Sequence, residues 1–126
     1  MDKQKVLIAD DEAGVRLLVS RILEEEYIVL EAADGAEAID ITKEQQPALI
    51  LLDLMMPKMD GYAACHRIKA DQATSRIPVI ILTGVGHELN KKLAEEMGAD
   101  GYITKPFTRE SLLEEMRRLL LISSQQ

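Results

Sequence analysis

Apolar and polar residues follow two rhythms along this chain. Four runs are almost wholly apolar, at Lys5–Ala9, Tyr27–Leu30, Ala48–Leu52 and Val79–Leu82, with a shorter pair at Tyr102 and Ile103. Such runs predict strands buried on both faces, as a parallel sheet requires. Between them the apolar positions recur at helical spacing. Val15, Leu18, Val19, Ile22 and Leu23 predict a first amphipathic helix with those five side chains inward. From Ala36 to about Gln45 a weaker helix turns Ala38, Ile39 and Thr42 inward and is stopped by Pro47. A third, Tyr62 to about Ala70, places Cys65 and Ile68 inward and leaves His66, Arg67 and Lys69 to solvent. The stretch from Asp71 to Arg76 then reads as a polar connector.

Leu89, Leu93 and Met97 mark a fourth helix ending at Gly98, with His87, Lys91 and Lys92 on solvated positions. Thr108 caps the fifth, whose inward stripe is Leu112, Leu113, Met116, Leu119 and Leu120. Leu121 falls on the opposite side of that helix and is expected to be exposed. Ser123 to Gln126 reads as a frayed tail or the start of a linker. A strand followed by a helix, five times over, predicts an α/β fold: a doubly wound (βα)5 domain with one parallel sheet between two helical layers. The whole chain, 1–126, is expected to be one such domain with its core at about 5–120.

Composition narrows the function. At 126 residues, 47% apolar and 29% charged, the chain has the makeup of one globular domain. Its net charge of −7 disfavours direct contact with nucleic acid or anionic membranes. No apolar run approaches the ~20 residues of a membrane span, and none near the start resembles a signal peptide. The lone cysteine, Cys65, fits a reducing cytoplasm and a space-filling place on a helix.

The chemistry gathers where the strands end. Parallel strands bring their C-terminal ends to one rim, and there stand Asp10 and Asp11, Asp53, Thr83 and Lys105. Crowded carboxylates call for a hard divalent cation, Mg²⁺ with Mn²⁺ as a substitute, which takes oxygen ligands and often a phosphate. A lysine and a hydroxyl beside them suit a transferring phosphoryl group. Asp53, central among them and followed by the breakers Pro57, Asp60 and Gly61, can act as a nucleophile. The plainer reading takes these residues as caps and loop polars; five strand ends with one coherent chemistry weigh against it. Gly84-x-Gly86 lacks the third glycine and strand context of a dinucleotide fingerprint.

From Val6 to about Leu120 the chain resembles a response-regulator receiver domain, the phosphoacceptor of two-component signalling. The motifs that carry the resemblance are Asp10-Asp11, Asp53 with Pro57, Asp60 and Gly61, Leu82-Thr83-Gly84 and Lys105-Pro106-Phe107. It implies a flavodoxin-like sheet of order 2-1-3-4-5. It also implies that Asp53 takes a phosphoryl group from a phosphohistidine on a sensor histidine kinase or histidine phosphotransfer domain. The metal would rest on Asp11, Asp53 and the Met55 carbonyl, with Asp10 acting through water. Lys105 would meet a phosphoryl oxygen, and the Lys105-Pro106 bond would be cis. Thr83 and Tyr102 would form the switch, altering a surface made by the fourth helix, fifth strand and fifth helix. That surface would control a downstream protein or output domain, the receiver acting as a monomer or dimerising on phosphorylation. Gly84 departs from the family's usual small side chain, and Met55 and Val85 are apolar where many relatives are polar. A small Mg²⁺-dependent phosphatase with an aspartyl-phosphate intermediate and a phosphorylation-independent interaction domain remain the alternatives. His66 and His87 are read as solvated rather than as phosphohistidines.

Overall fold

The computed structural model describes residues 2–84, 92–93 and 95–124. Val85, Gly86, His87, Leu89 and Lys91, which figure in the sequence reading, lie outside the described residues. Five strands form a single sheet: β1 (Gln4–Ala9), β2 (Tyr27–Ala32), β3 (Leu49–Asp53), β4 (Val79–Thr83) and β5 (Gly101–Thr104). Their order is β2-β1-β3-β4-β5, and every neighbouring pair is parallel. Parallel strands need crossovers, which helices α1 (Ala13–Leu23), α2 (Gly35–Gln45) and α3 (Gly61–Ala70) supply. The last helix, Arg109–Ser124, closes the fold; of the fourth predicted helix, 92–93 and 95–96 are described and are helical.

Alternation along each strand divides the core into two layers. Leu7, Ala9, Ile50, Leu52, Val79 and Ile81 face α2 and α3, where Ala38, Ile39, Ala64, Cys65 and Ile68 meet them. Val6, Ile8, Leu49, Leu51, Ile80 and Leu82 point the other way, toward Val19, Leu23, Leu112, Met116 and Leu119. β3 and β4 are buried at every position, which is why their sequences show no polar alternation.

The helix starts match their residues. Asp34 accepts from the Glu37 N–H at 2.8 Å while Glu37 reaches back to the Ala33 N–H at 3.2 Å. Asp60 caps α3 through the Ala63 N–H at 2.9 Å, and Thr108 caps the last helix through the Ser111 N–H at 3.0 Å. Gly98, at φ +89°, takes the left-handed conformation that ends the fourth helical segment.

Two side-chain expectations are corrected. Leu18 is not inward: it is 51% exposed beside Leu17 at 54%, and only Val19 and Leu23 of α1 are fully covered. The apolar stripe of α1 is wider than the layer that covers it. Lys69 is not left to solvent either. Its ammonium sits 2.6 Å from Asp100 and 2.7 Å from the Ile77 carbonyl, tying α3 to the start of β4. Asp100 in turn accepts the Val79 N–H at 2.8 Å. The connector after α3 is less open than its polarity implied: Thr74 is buried and bonds the Ile68 carbonyl at 2.7 Å.

Candidate active site

β1 and β3 lie side by side in the centre of the sheet and stop together at its C-terminal rim. Just past β1 comes Asp10, wholly buried. One of its oxygens accepts the Glu12 N–H at 2.9 Å and the other the Lys105 ammonium at 2.8 Å. Its main-chain carbonyl receives Arg16 Nη1 at 2.7 Å, and the Arg16 Nε holds Glu31, at the end of β2, at 3.1 Å. Asp10 is therefore fixed from both ends of the residue.

Asp53 is the last residue of β3 and only 4% exposed. The chain must leave it sharply, and two glycines allow this. A Cβ on Gly61 would stand 2.1 Å from the Asp53 carbonyl oxygen, so α3 can begin against the strand end only with glycine there. Gly35 gives its N–H to the Met59 carbonyl at 3.0 Å, and a Cβ on it would come within 2.3 Å of that oxygen. Lys58, with φ 66°, makes the left-handed turn between them. The loop after Asp53 is thus seated on the first turns of α2 and α3.

Lys105 reaches the rim from beyond β5. Its N–H bonds the Thr83 carbonyl at 2.6 Å, and the Lys105-Pro106 peptide is cis. Its ammonium lies 3.4 Å from Asp53 as well as beside Asp10. Burial pushes the Asp53 carboxyl up to about 6, and the Asp10 charge adds to that; Lys105 and the Met55 backbone N–H pull the other way without prevailing. For Lys105, burial pulls downward but is outweighed by the hydrogen bond it donates to Asp10 and the charges of Asp53 and Asp10, so its pKa is held above the ordinary lysine range.

The sequence-predicted residues thus fall into groups. Asp10, Asp53 and Lys105 are in direct contact, and Thr83, buried at the end of β4, adjoins them through the Lys105 backbone. Asp11 is exposed, and its carboxylate lies with those of Asp10 and Glu12 within 4.8 Å of one another. Glu12 was passed over in the sequence reading, although as the third acid of an unbroken run it was in plain view. Arg16 was missed too, being a helix residue whose partner is a main-chain oxygen. Met55 is 72% exposed. Tyr102 stands one strand over from Thr83, half-buried against the layer under α2 and α3, its hydroxyl bonded to the Thr104 side chain. His66 is exposed on α3, and a Cβ on Gly84 would meet nothing within 4 Å. The donors at the rim are all oxygens around two buried carboxylates that share one ammonium, which fits a hard divalent cation.

Beside Lys105 an apolar groove of about 390 Å³ opens between Val15, Leu18, Pro106 and Phe107. Among the described residues no helix is long and apolar enough to cross a membrane.

Comparison with known proteins gives one family. The response regulator receiver domain family matches residues 6–117. The "DNA-binding dual master transcriptional regulator RpaA" of Synechocystis sp. is 43% identical over 117 residues, covering 92% of this chain and 48% of that protein. The "Probable transcriptional regulator ycf27" of Porphyridium aerugineum is 42% identical over 121 residues, covering 95% of this chain and 49% of that protein. The chain thus spans about half the length of these relatives. Among solved structures, the receiver domain of sensor histidine kinase PA1611 from Pseudomonas aeruginosa has a TM-score of 0.88 and 28% identity. That match covers 94% of this chain and 98% of the other, which carries a magnesium ion in its active-site cleft.

Proposed function

This chain belongs to the response regulator receiver domains, and from that membership and the rim geometry we infer that Asp53 accepts a phosphoryl group in a two-component phosphorelay. The observation that carries the reading is the placement of Asp53 and Asp10, both buried, on either side of the Lys105 ammonium. A carboxylate oxygen of Asp53 attacks phosphorus, the bond from phosphorus to the donor's imidazole nitrogen breaks, and the histidine leaves. Lys105 meets the charge on the phosphoryl oxygens, and the Met55 N–H helps to orient the attacking carboxylate. Burial at the strand end keeps Asp53 from moving as it reacts.

Mg²⁺, or Mn²⁺ in its place, would be held by Asp11, Asp53 and the Met55 carbonyl, with Asp10 behind them. When bound, it neutralises charge on the incoming phosphoryl group. Both Asp10 oxygens already accept hydrogen bonds, which favours an outer role for that residue. Glu12 joins the set because its carboxylate shares the same 4.8 Å neighbourhood.

The donor is a sensor histidine kinase or a histidine phosphotransfer domain. The apolar groove of Val15, Leu18, Pro106 and Phe107 beside Lys105 suits the docking of such a partner, since it borders the reacting atoms. After transfer the Thr83 hydroxyl follows the phosphoryl group and the Tyr102 ring turns further inward. This alters β5 and the helices beside it, and so a downstream protein or output domain. At −7 net charge, this domain leaves any contact with nucleic acid to another part or partner. A cytoplasmic setting suits the free, buried thiol of Cys65.

A turnover phosphatase of the aspartyl-phosphate kind needs an acid two residues past the nucleophile, where this chain has the thioether of Met55. The test is incubation with acetyl phosphate and Mg²⁺ followed by intact-mass measurement. One phosphoryl group is expected on the wild-type chain and none on Asp53→Asn; full labelling of the variant would overturn the assignment.

A further inference from the structure

Of the large apolar side chains among the described residues, the most exposed is Met55, at 72%. The other described sulfurs are less exposed. Cys65 and Met116 are fully buried, Met56 is 8% exposed, and Met59 and Met97 are half-buried against the layer under α2 and α3. The Cys65 thiol, pushed up to about 11 by burial, keeps its proton and offers no thiolate. Among the described residues, an oxidant arriving from solvent therefore meets Met55 first.

Met55 is also anchored beside the reacting group. It lies two residues beyond Asp53, and its N–H bonds the Asp53 carboxylate. Its side chain borders a shallow hollow of about 400 Å³ shared with Leu54, Met56, Asp60 and Tyr62, so there is room for a larger, hydrated group.

We propose that Met55 is a modification site for hydroperoxides, and that its sulfoxide shortens the life of the phosphoryl group on Asp53. The inference rests on the reading of Asp53 as phosphoacceptor. In the oxidation a sulfur lone pair attacks one peroxide oxygen and the O–O bond breaks. That oxygen stays on sulfur and gives up its proton, while the other departs as hydroxide, or as alkoxide from an organic hydroperoxide, and takes up that proton to leave as water or alcohol. The thioether is the reductant and is oxidised, the peroxide is the oxidant, and no further reagent is needed. A thioether is at best a weak acceptor, whereas a sulfoxide oxygen binds water strongly. Hydrolysis of an acyl phosphate requires a water held in line with phosphorus, and the sulfoxide supplies an acceptor near that approach.

The experiment treats the whole chain with dilute hydrogen peroxide, quenches it, and maps oxidised peptides by mass. The phosphorylated protein is then followed, with and without treatment, as it loses phosphate at fixed Mg²⁺ and pH. Met55 should oxidise ahead of Met56, Met59, Met97 and Met116, and the phosphoryl half-life should fall by about threefold or more. Met55→Leu should have one half-life whether treated or not, and Met55→Gln should be short-lived without peroxide. An unchanged half-life in protein fully oxidised at Met55, or an equal shortening in treated Met55→Leu, overturns the inference alone. Failure of the untreated chain to take phosphate on Asp53 overturns the underlying reading, and the inference with it.

Discussion

Lys105 makes its shorter contact with Asp10, at 2.8 Å, and not with Asp53, at 3.4 Å. The lysine proposed to meet the phosphoryl group is therefore also the counter-ion of a fully buried carboxylate.

Lys105→Ala should accordingly cost stability as well as phosphorylation. Removing one partner of a buried pair leaves an uncompensated charge, typically at about 3–5 kcal/mol. Urea unfolding in metal-free buffer should show a loss near the lower end of that range, part of it recovered on adding Mg²⁺. A loss below about 0.5 kcal/mol would mean that the pair contributes nothing to the fold.

Asp53→Asn should move stability the other way. The folded-state carboxyl is raised from 3.8 to about 6, so its favourable share is complete below pH 3.8 and is lost as pH rises through 6. Asparagine has no charge to bury at any pH. At pH 7 without metal the variant should be more stable by about 1 kcal/mol, roughly 4 °C, after allowing for screening at the open rim. The gain should shrink toward zero at pH 4. Paired thermal melts decide this, and a gain that does not depend on pH would contradict the assigned cause.

Asp11 and Asp10 should separate cleanly. Asp11 is exposed, so Asp11→Ala should weaken Mg²⁺ binding by about tenfold with little change in the urea midpoint. Asp10→Ala strips partners from Lys105 and the Glu12 N–H, and should lose stability with a smaller loss of affinity. Calorimetric titration beside unfolding curves measures both; equal losses of affinity would refute the ranking.

Thr83→Ala should still accept phosphate but fail to pass the signal on. The hydroxyl lies at the end of β4, opposite Thr104 in register, and Thr104 in turn holds the Tyr102 hydroxyl. Amide chemical shifts on β5 should move in the wild-type chain when a phosphoryl mimic is added and stay still in the variant. Wild-type shifts in Thr83→Ala would route the switch elsewhere.

Much of this was legible before the structure, for a physical reason. Strands buried on both faces leave nowhere for polar residues except their ends, so Asp10, Asp53, Thr83 and Lys105 stood out against apolar sequence. α1 was harder. Its five periodic apolar residues span more of the helix than its neighbours cover, and periodicity cannot say which edge of a wide stripe is left bare; Leu18 fell on that edge. Lys69 was unreadable for another reason, since its partner Asp100 is distant in sequence and is itself occupied with a strand amide. Gly61 read as a breaker, but its role, like that of Gly35, is closeness: each lets a backbone oxygen approach where a methyl group would collide. Glu12 and Arg16 show the limit of reading by strand ends, because both act from the turn that follows one.

The buried thiol of Cys65 makes the domain its own clock. It sits on α3 with no exposed surface, bonds the Met97 carbonyl at 3.6 Å and keeps its proton at neutral pH. An alkylating reagent can reach it only in the instants when α3 lifts from the sheet. With one cysteine in the chain, the labelling rate reads the free energy of that opening directly, with no engineered probe.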